Sequence, residues 1–136
     1  MRFVDTNVFV RYFANDMPGR SEACHRLFRR LAHEQEQAVT SEAVIVETIH
    51  VLTSRVTYRM SHREIAEALR VVVSLPGLRI PSKARVLQAL DLFAQHEFLD
   101  FVDALIVTQI EAGHADSVLS YDRDFDRVPG VIRVEP

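Results

Sequence analysis

Short apolar segments that alternate with stretches of helical periodicity predict an α/β fold, in which a central, mainly parallel sheet of four to five short strands is flanked by helices. The chain has 136 residues, of which 48% are hydrophobic and 26% charged, as is ordinary for a globular protein. No repeat, linker or low-complexity segment divides the sequence. We therefore expect a single three-layer domain over residues 1–136.

Each predicted element is bounded by residues that start or stop it. The strands are predicted at residues 2–5, 38–40, 78–80, 118–120 and 131–134. The first two helices are predicted at residues 8–13, after the favourable start Thr6–Asn7, and at residues 20–37. A third helix begins after the cap Ser41 and runs to about residue 56, and a fourth runs from the capping box of Ser61 and Glu64 to Pro76–Gly77. The last two run from Ser82 through Phe93 and over residues 102–112, before Gly113.

Composition excludes several classes of protein. Cys24 is the only cysteine, so an internal disulfide and a cysteine-based zinc site are excluded. The apolar runs are too short to span a bilayer, and the N-terminus meets an acid at position 5 instead of forming a signal-peptide core. We expect no membrane association and a cytoplasmic setting. The net charge of −3 does not indicate a protein that coats nucleic acid.

Four acidic residues lie at the edges of apolar segments: Asp5 in FVDTNVF, Glu47 in AVIVETIHVL, Asp103 in FVDALIVTQI and Asp122 in SVLSYDRDF. An acid between a strand and the following helix lies at the carboxyl edge of a parallel sheet, where ligands bind in open α/β folds. Several acids at one edge repel one another unless a cation neutralises them or a proton is retained. Oxygen ligands of this kind suit Mg²⁺ and Mn²⁺.

Each acid also has a purely structural interpretation. Asp5 could cap the first helix, and Asp103 could be stabilised by the helix dipole in the first turn of its helix. Glu47 shares a helical stripe with Ala43 and His50, which could simply be a solvent-facing surface. The sequence alone leaves both interpretations open.

The order FVDTN, then Glu47 within a hydrophobic run, then FVDALIV and SYDRDFDRV, resembles the PIN domain, and more narrowly the VapC type, the toxin half of bacterial toxin–antitoxin pairs. By position, Asp5, Glu47, Asp103 and Asp122 match the acidic quartet of that family. The matching accessory positions are Thr6, Asn7, Asp100, Ser120 and Asp124, with Ser120 standing where the family more often has Thr. Within DRD, Asp124 could take over part of the role of Asp122.

The resemblance implies a PIN-like fold and a metal-dependent endoribonuclease that uses Mg²⁺ or Mn²⁺. Asp5 and Asp103 would be direct metal ligands, Asp122 would bind directly or through water, and Glu47 would orient water or a second metal. A water activated by the metal would then hydrolyse the RNA phosphodiester bond, leaving a 5′-phosphate and a 3′-hydroxyl.

The implied partners are an RNA substrate, a VapB-like antitoxin and a second copy of the chain. Candidate phosphate contacts are Arg11, Arg55, Arg59 and Arg123. The apolar residues of the first helix, Val8, Phe9, Tyr12 and Phe13, could form the surface for the antitoxin or a homodimer, or could belong to the core.

The sequence leaves two other functions open. One is another α/β Mg²⁺-dependent phosphoryl-transfer enzyme, for which the usual late lysine is missing because Lys83, in mid-chain, is the only lysine. The other is a PIN-like interaction module whose acids do not catalyse. Zinc-hydrolase, P-loop and Rossmann motifs do not occur in the sequence.

Overall fold

The computed structural model describes residues 1–14, 17–54 and 58–136. Within these ranges the strands are β1 (Arg2–Phe3), β2 (Ala38–Val39), β3 (Leu78–Arg79), β4 (Val118–Leu119) and β5 (Arg133–Val134). The helices are α1 (Thr6–Ala14), α2 (Pro18–Ala32), α3 (Glu42–Thr53), α4 (His62–Val73), α5 (Lys83–Gln95) and α6 (Phe101–Glu111), followed by a 3₁₀-helix over Arg123–Arg127. The predicted α/β class is confirmed.

All paired strands run parallel, as predicted. β2 lies between β1 and β3, and β4 pairs with β5. The prediction of one central sheet differs in detail, since the strands of the described residues form a three-stranded and a two-stranded hydrogen-bonded group. Each strand is only two residues long, which limits how many ladder bonds can join one strand to the next.

Local capping chemistry fixes several helix starts where the sequence places them. The Ser41 side chain accepts a hydrogen bond from the N–H of Val44 at 3.3 Å. Ser61 and Glu64 form the predicted capping box, which satisfies one backbone N–H at each of the two positions. Gly113 follows α6 with φ +78°, a left-handed conformation that favours glycine.

The ends of some elements were predicted wrongly. The helix predicted at residues 20–37 begins earlier, at Pro18, and ends at Ala32, because the chain then turns through Glu34 at φ 56°. The predicted strand at 131–134 is reduced to β5. The predicted helix end near residue 56 lies outside the described residues, and α3 itself ends at Thr53.

Every helix contributes side chains to one core. α4 packs on α5, α5 on α6, and α1 on both α2 and α3. In α1, Phe9 is fully buried, and Val8, Tyr12 and Phe13 pack partly buried against the core, as the core interpretation of this helix requires. Among the described residues, no helix combines the length and apolar character needed to cross a membrane.

Candidate metal centre

Asp5 lies between β1 and α1, separated from the strand by one residue, and hydrogen bonds hold the backbone before it. The preceding residue, Val4, is buried, and its N–H donates to the carbonyl of Val39 at 2.8 Å. The Thr40 hydroxyl donates to the carbonyl of Val4, also at 2.8 Å. Thr40 is itself buried, and sequence reasoning missed its role because it appeared only as the end of a strand. The exposed carboxylate of Asp5 therefore projects from a fixed position at the strand end.

Asp100 and Asp103 form the amino end of α6. Asp100 is the cap, since its Oδ1 accepts a hydrogen bond from the N–H of Asp103 at 2.8 Å. Asp103, which lies in the first turn, is half-buried. The capping role thus belongs to Asp100, and the carboxyl group of Asp103 is left for another role.

Ser120, Asp122 and Asp124 form a tight polar turn after β4. The Ser120 hydroxyl accepts from the N–H of Asp122 at 3.0 Å, and Asp122 Oδ1 accepts from the N–H of Asp124 at 2.9 Å. Asp122 is therefore the cap of the 3₁₀-helix. The hydroxyl at position 120 has a structural role, which is to hold the acidic turn in shape.

The electrostatic state of Asp103 connects these two segments. The pKa of Asp103 is raised to about 6, and burial is the largest cause. The charges of Asp100 and Asp122, a side-chain hydrogen bond with Asp100 and the charge of Asp124 raise it further. The negative charges at the start of α6 and in the turn after β4 therefore act on one another. Such a cluster of acids keeps a proton or attracts a cation.

Glu47 lies on the exposed face of α3, together with Ala43 and His50. The sequence left open whether this stripe faces solvent, and its exposure shows that it does. α3, which contains Glu47, packs against α1 and α6. Asp5 immediately precedes α1, and Asp103 lies in the first turn of α6. Thr6 and Asn7 are the first two residues of α1, half-buried and exposed, respectively.

The structure brings some of the predicted residues together more closely than others. Asp100, Asp122 and Asp124 all lie within electrostatic range of Asp103. Across residues 1–14, 17–54 and 58–136, however, no three Asp, Glu, His or Cys side chains are arranged so that they could hold a metal ion. The oxygen chemistry and the mutual repulsion of the cluster fit a hard divalent cation, while the side chains are not preassembled into a ligand shell.

Of the arginines proposed for phosphate contacts, Arg11 and Arg123 lie in helical elements and Arg59 lies in the segment before α4. Arg11 is half-buried on α1, and Arg123 is exposed at the start of the 3₁₀-helix. Arg59 is exposed and has a left-handed backbone conformation, with φ 51°. Arg55 lies outside the described residues. Arg123 is the one adjacent in sequence to both Asp122 and Asp124.

A cavity of about 170 Å³ lies beside the acidic cluster, and Asp100 forms part of its wall. His50 and His62 also line this cavity. The sequence gave no reason to connect these two histidines, since they are 12 positions apart and match no ligand motif. Only the packing of α3, α4 and α6 brings them to one place.

Comparisons with known proteins are consistent with this arrangement. The PIN domain family matches residues 2–131, which is nearly the whole chain. No curated protein matches the chain. Because this single family model covers β1 to β4, all the helices described above and every acid of the candidate site, the chain belongs to the PIN domain family, whose members are generally metal-dependent nucleases.

Proposed function

We propose that the chain is a metal-dependent endoribonuclease of the VapC type, which hydrolyses RNA and is neutralised by a cognate antitoxin. Membership of the PIN domain family supports the nuclease class. The observation that carries the proposal for this chain is the raised pKa of Asp103, because burial and three neighbouring aspartates make its negative charge unfavourable. A divalent cation would relieve that repulsion and favour the ionised form of Asp103.

The proposed ligands are Asp5, Asp103 and Asp122, with Asp100 and Asp124 as accessory acids. When bound, Mg²⁺ or Mn²⁺ would polarise a phosphoryl oxygen and lower the pKa of a water nucleophile. Asp100 holds the backbone of Asp103 through its capping bond, and Ser120 holds that of Asp122. Glu47, exposed on α3, is assigned to orienting the attacking water.

The proposed partners follow from the same assignment. Single-stranded RNA would reach the exposed acids, and Arg11, Arg59 and Arg123, with Arg55, would contact its phosphates. A VapB-like antitoxin and a homodimer complete the proposal. Because Val8, Phe9, Tyr12 and Phe13 are used by the core, these partners would need a surface other than the apolar face of α1.

The decisive experiment is cleavage of single-stranded RNA by the purified chain with Mg²⁺, with Mn²⁺ and with EDTA, beside the Asp5→Asn variant. We expect metal-dependent cleavage that falls by at least about a hundredfold in the variant, because the amide keeps the size of the side chain but removes its charge. Asp116→Asn, which changes an exposed aspartate outside the cluster, is the matched control and should keep full activity.

A second function is favoured by one specific observation, namely that the acids of the described residues do not form a preassembled ligand set. On that alternative the chain is a PIN-like interaction module that binds a partner without catalysis. Absence of cleavage, together with absence of Mn²⁺ binding in a calorimetric titration, would select the module. Cleavage that persists in EDTA or in Asp5→Asn would instead show that the acidic centre is not the active site.

A further inference from the structure

We propose that the cavity beside Asp100 binds one unpaired cytosine base of the RNA, and so selects the sequence next to the cleaved bond. The inference rests on the proposed ribonuclease function. It concerns the cavity formed by α3, the start of α4, α5 and the amino end of α6, which none of the roles assigned above uses.

The size of the cavity fits a single aromatic ring. Its volume is about 170 Å³, and a cavity of roughly 150 Å³ in another protein accepts benzene. A pyrimidine has one such ring, whereas a purine has two fused rings. The buried side chains of Ile49, Phe93 and Phe101 form the apolar wall, which suits the faces of a base.

The position of the cavity joins it to the acidic cluster. Asp100 lines the cavity and also caps Asp103 with a 2.8 Å hydrogen bond. On the other side, His50 lines the cavity from α3, one helical turn beyond Glu47. A base in the cavity would therefore belong to a nucleotide next to the phosphate at the acids.

The polar groups on the rim whose hydrogen-bonding roles are fixed by the structure are acceptors. His62 Nδ1 lies 3.0 Å from the carbonyl oxygen of Phe93, which can only accept, so Nδ1 carries the proton and Nε2 of the neutral ring is an acceptor. The Thr53 hydroxyl donates its one proton to main-chain carbonyls of α3, at 3.0 Å, and keeps its lone pairs. Asp100 Oδ1 accepts the capping bond from the N–H of Asp103, so this side chain acts as an acceptor as well.

An acceptor-rich rim selects a base that presents donors. Cytosine offers its exocyclic amine, a group that carboxylates accept from in nucleic-acid recognition, whereas uracil places a carbonyl oxygen at that position. Adenine also carries an amine but exceeds a one-ring cavity. Size and hydrogen bonding together therefore favour cytosine over the other three bases of RNA.

The test is binding of short labelled RNAs of uridine that carry a single central cytidine, uridine or adenosine, measured by fluorescence anisotropy in EDTA near pH 8, which favours neutral imidazole rings. We expect the cytidine RNA to bind about tenfold more tightly than the other two. His62→Phe, which keeps a ring beside Phe93 but removes Nε2, should abolish the preference. The matched control is His25→Phe, since His25 packs against Tyr12 in a different cavity, and it should keep the preference.

A second variant protects the test if His62→Phe does not fold. Thr53→Val replaces the hydroxyl by a methyl group of similar size and should reduce the cytidine preference by roughly threefold. Equal binding of the three RNAs, a preference for uridine or adenosine, or a cytidine preference that is undiminished in whichever of the two variants fold would overturn the proposal. Because binding is measured without metal, these outcomes are separate from a loss of cleavage, which would overturn the nuclease function instead.

Discussion

At the scale of single residues, the ionised form of Asp103 is unfavourable in the folded protein. Its carboxyl group is half-buried and faces the charges of three other aspartates, which together raise its pKa to about 6. In the unfolded chain the group ionises near its ordinary value of 3.8. Between those two values the folded state binds more protons than the unfolded state, so the free energy of unfolding falls as the pH rises.

This linkage predicts that metal-free protein is more stable near pH 4 than near pH 7 as far as Asp103 is concerned. Asp103→Asn removes the ionisation and should raise the free energy of unfolding by about 1–2 kcal/mol near pH 7, after allowance for solvent screening. Near pH 4 the two proteins should differ little, because the wild-type carboxyl is then largely protonated in the fold. Urea denaturation in EDTA at both pH values measures the effect.

The control for this prediction is Asp116→Asn, which removes one exposed negative charge that is not among those acting on Asp103. It should not reproduce the pH-dependent gain. If Asp103→Asn destabilises the protein equally at both pH values, the side chain contributes through hydrogen bonding and not through its unfavourable charge.

At the scale of secondary-structure elements, Gly77 joins α2 to the three-stranded sheet. Its N–H donates to the carbonyl of Leu31, in the last turn of α2, and its carbonyl accepts from the N–H of Ala38 in β2, both at 2.9 Å. A Cβ atom at this position would lie 2.5 Å from the carbonyl oxygen of Glu36 and 2.6 Å from that of Leu31. Only a residue without a side chain allows this approach.

Gly77→Ala should therefore lower the free energy of unfolding by about 2–3 kcal/mol, because two backbone carbonyls must move to admit the methyl group. Thermal or urea denaturation measures the loss. Gly19→Ala is the matched control, since Gly19 lies in α2 and an added Cβ meets nothing within 4 Å. That variant should be as stable as the wild type or slightly more stable. Equal stability of both variants would contradict the close approach at Gly77.

What the sequence predicted at this scale depended on local chemistry. The capping roles of Ser41, Ser61 and Glu64 were predicted correctly because a helix cap depends only on the few residues around it. The end of α2 was wrong because residues 33–37 contain no glycine or proline, so nothing local marks the turn at Glu34. The tight contact of Gly77 with Leu31 is likewise set by tertiary packing, and the sequence showed Gly77 only as a helix terminator.

The candidate site divides along the same line. The sequence placed Asp5, Asp103 and Asp122 near the ends of strands and helices, and the structure has them at such ends. It did not reveal that Asp100 takes the capping bond, or that His62 belongs to a cavity beside the acids. The capping bond joins residues only three positions apart, so it is set by local chemistry, whereas the cavity depends on how α6 packs against α3 and α5, between residues far apart in the chain.

At the scale of the whole molecule, charge limits how RNA can be bound. The net charge is −3, and the acidic cluster adds a local repulsion for phosphate. The proposed cationic contacts are few, namely Arg11, Arg55, Arg59 and Arg123. Affinity for RNA should therefore depend more on base contacts and a bridging cation than on a broad basic surface.

The salt dependence of RNA binding tests whether only a few phosphate contacts contribute to the affinity. Each phosphate contact to single-stranded nucleic acid contributes about −0.7 to the slope of log K against log salt concentration, so the four arginines allow a slope of roughly −3 at most. Arg123→Gln should weaken binding and reduce the magnitude of the slope by about 0.7, because one phosphate contact is lost. Arg26→Gln changes an arginine that pairs with Glu22 on α2 and should leave the slope unchanged. A much steeper slope, or one that Arg26→Gln reduces as much as Arg123→Gln does, would place the RNA on a different and more basic surface, away from the acids that are proposed to cut it.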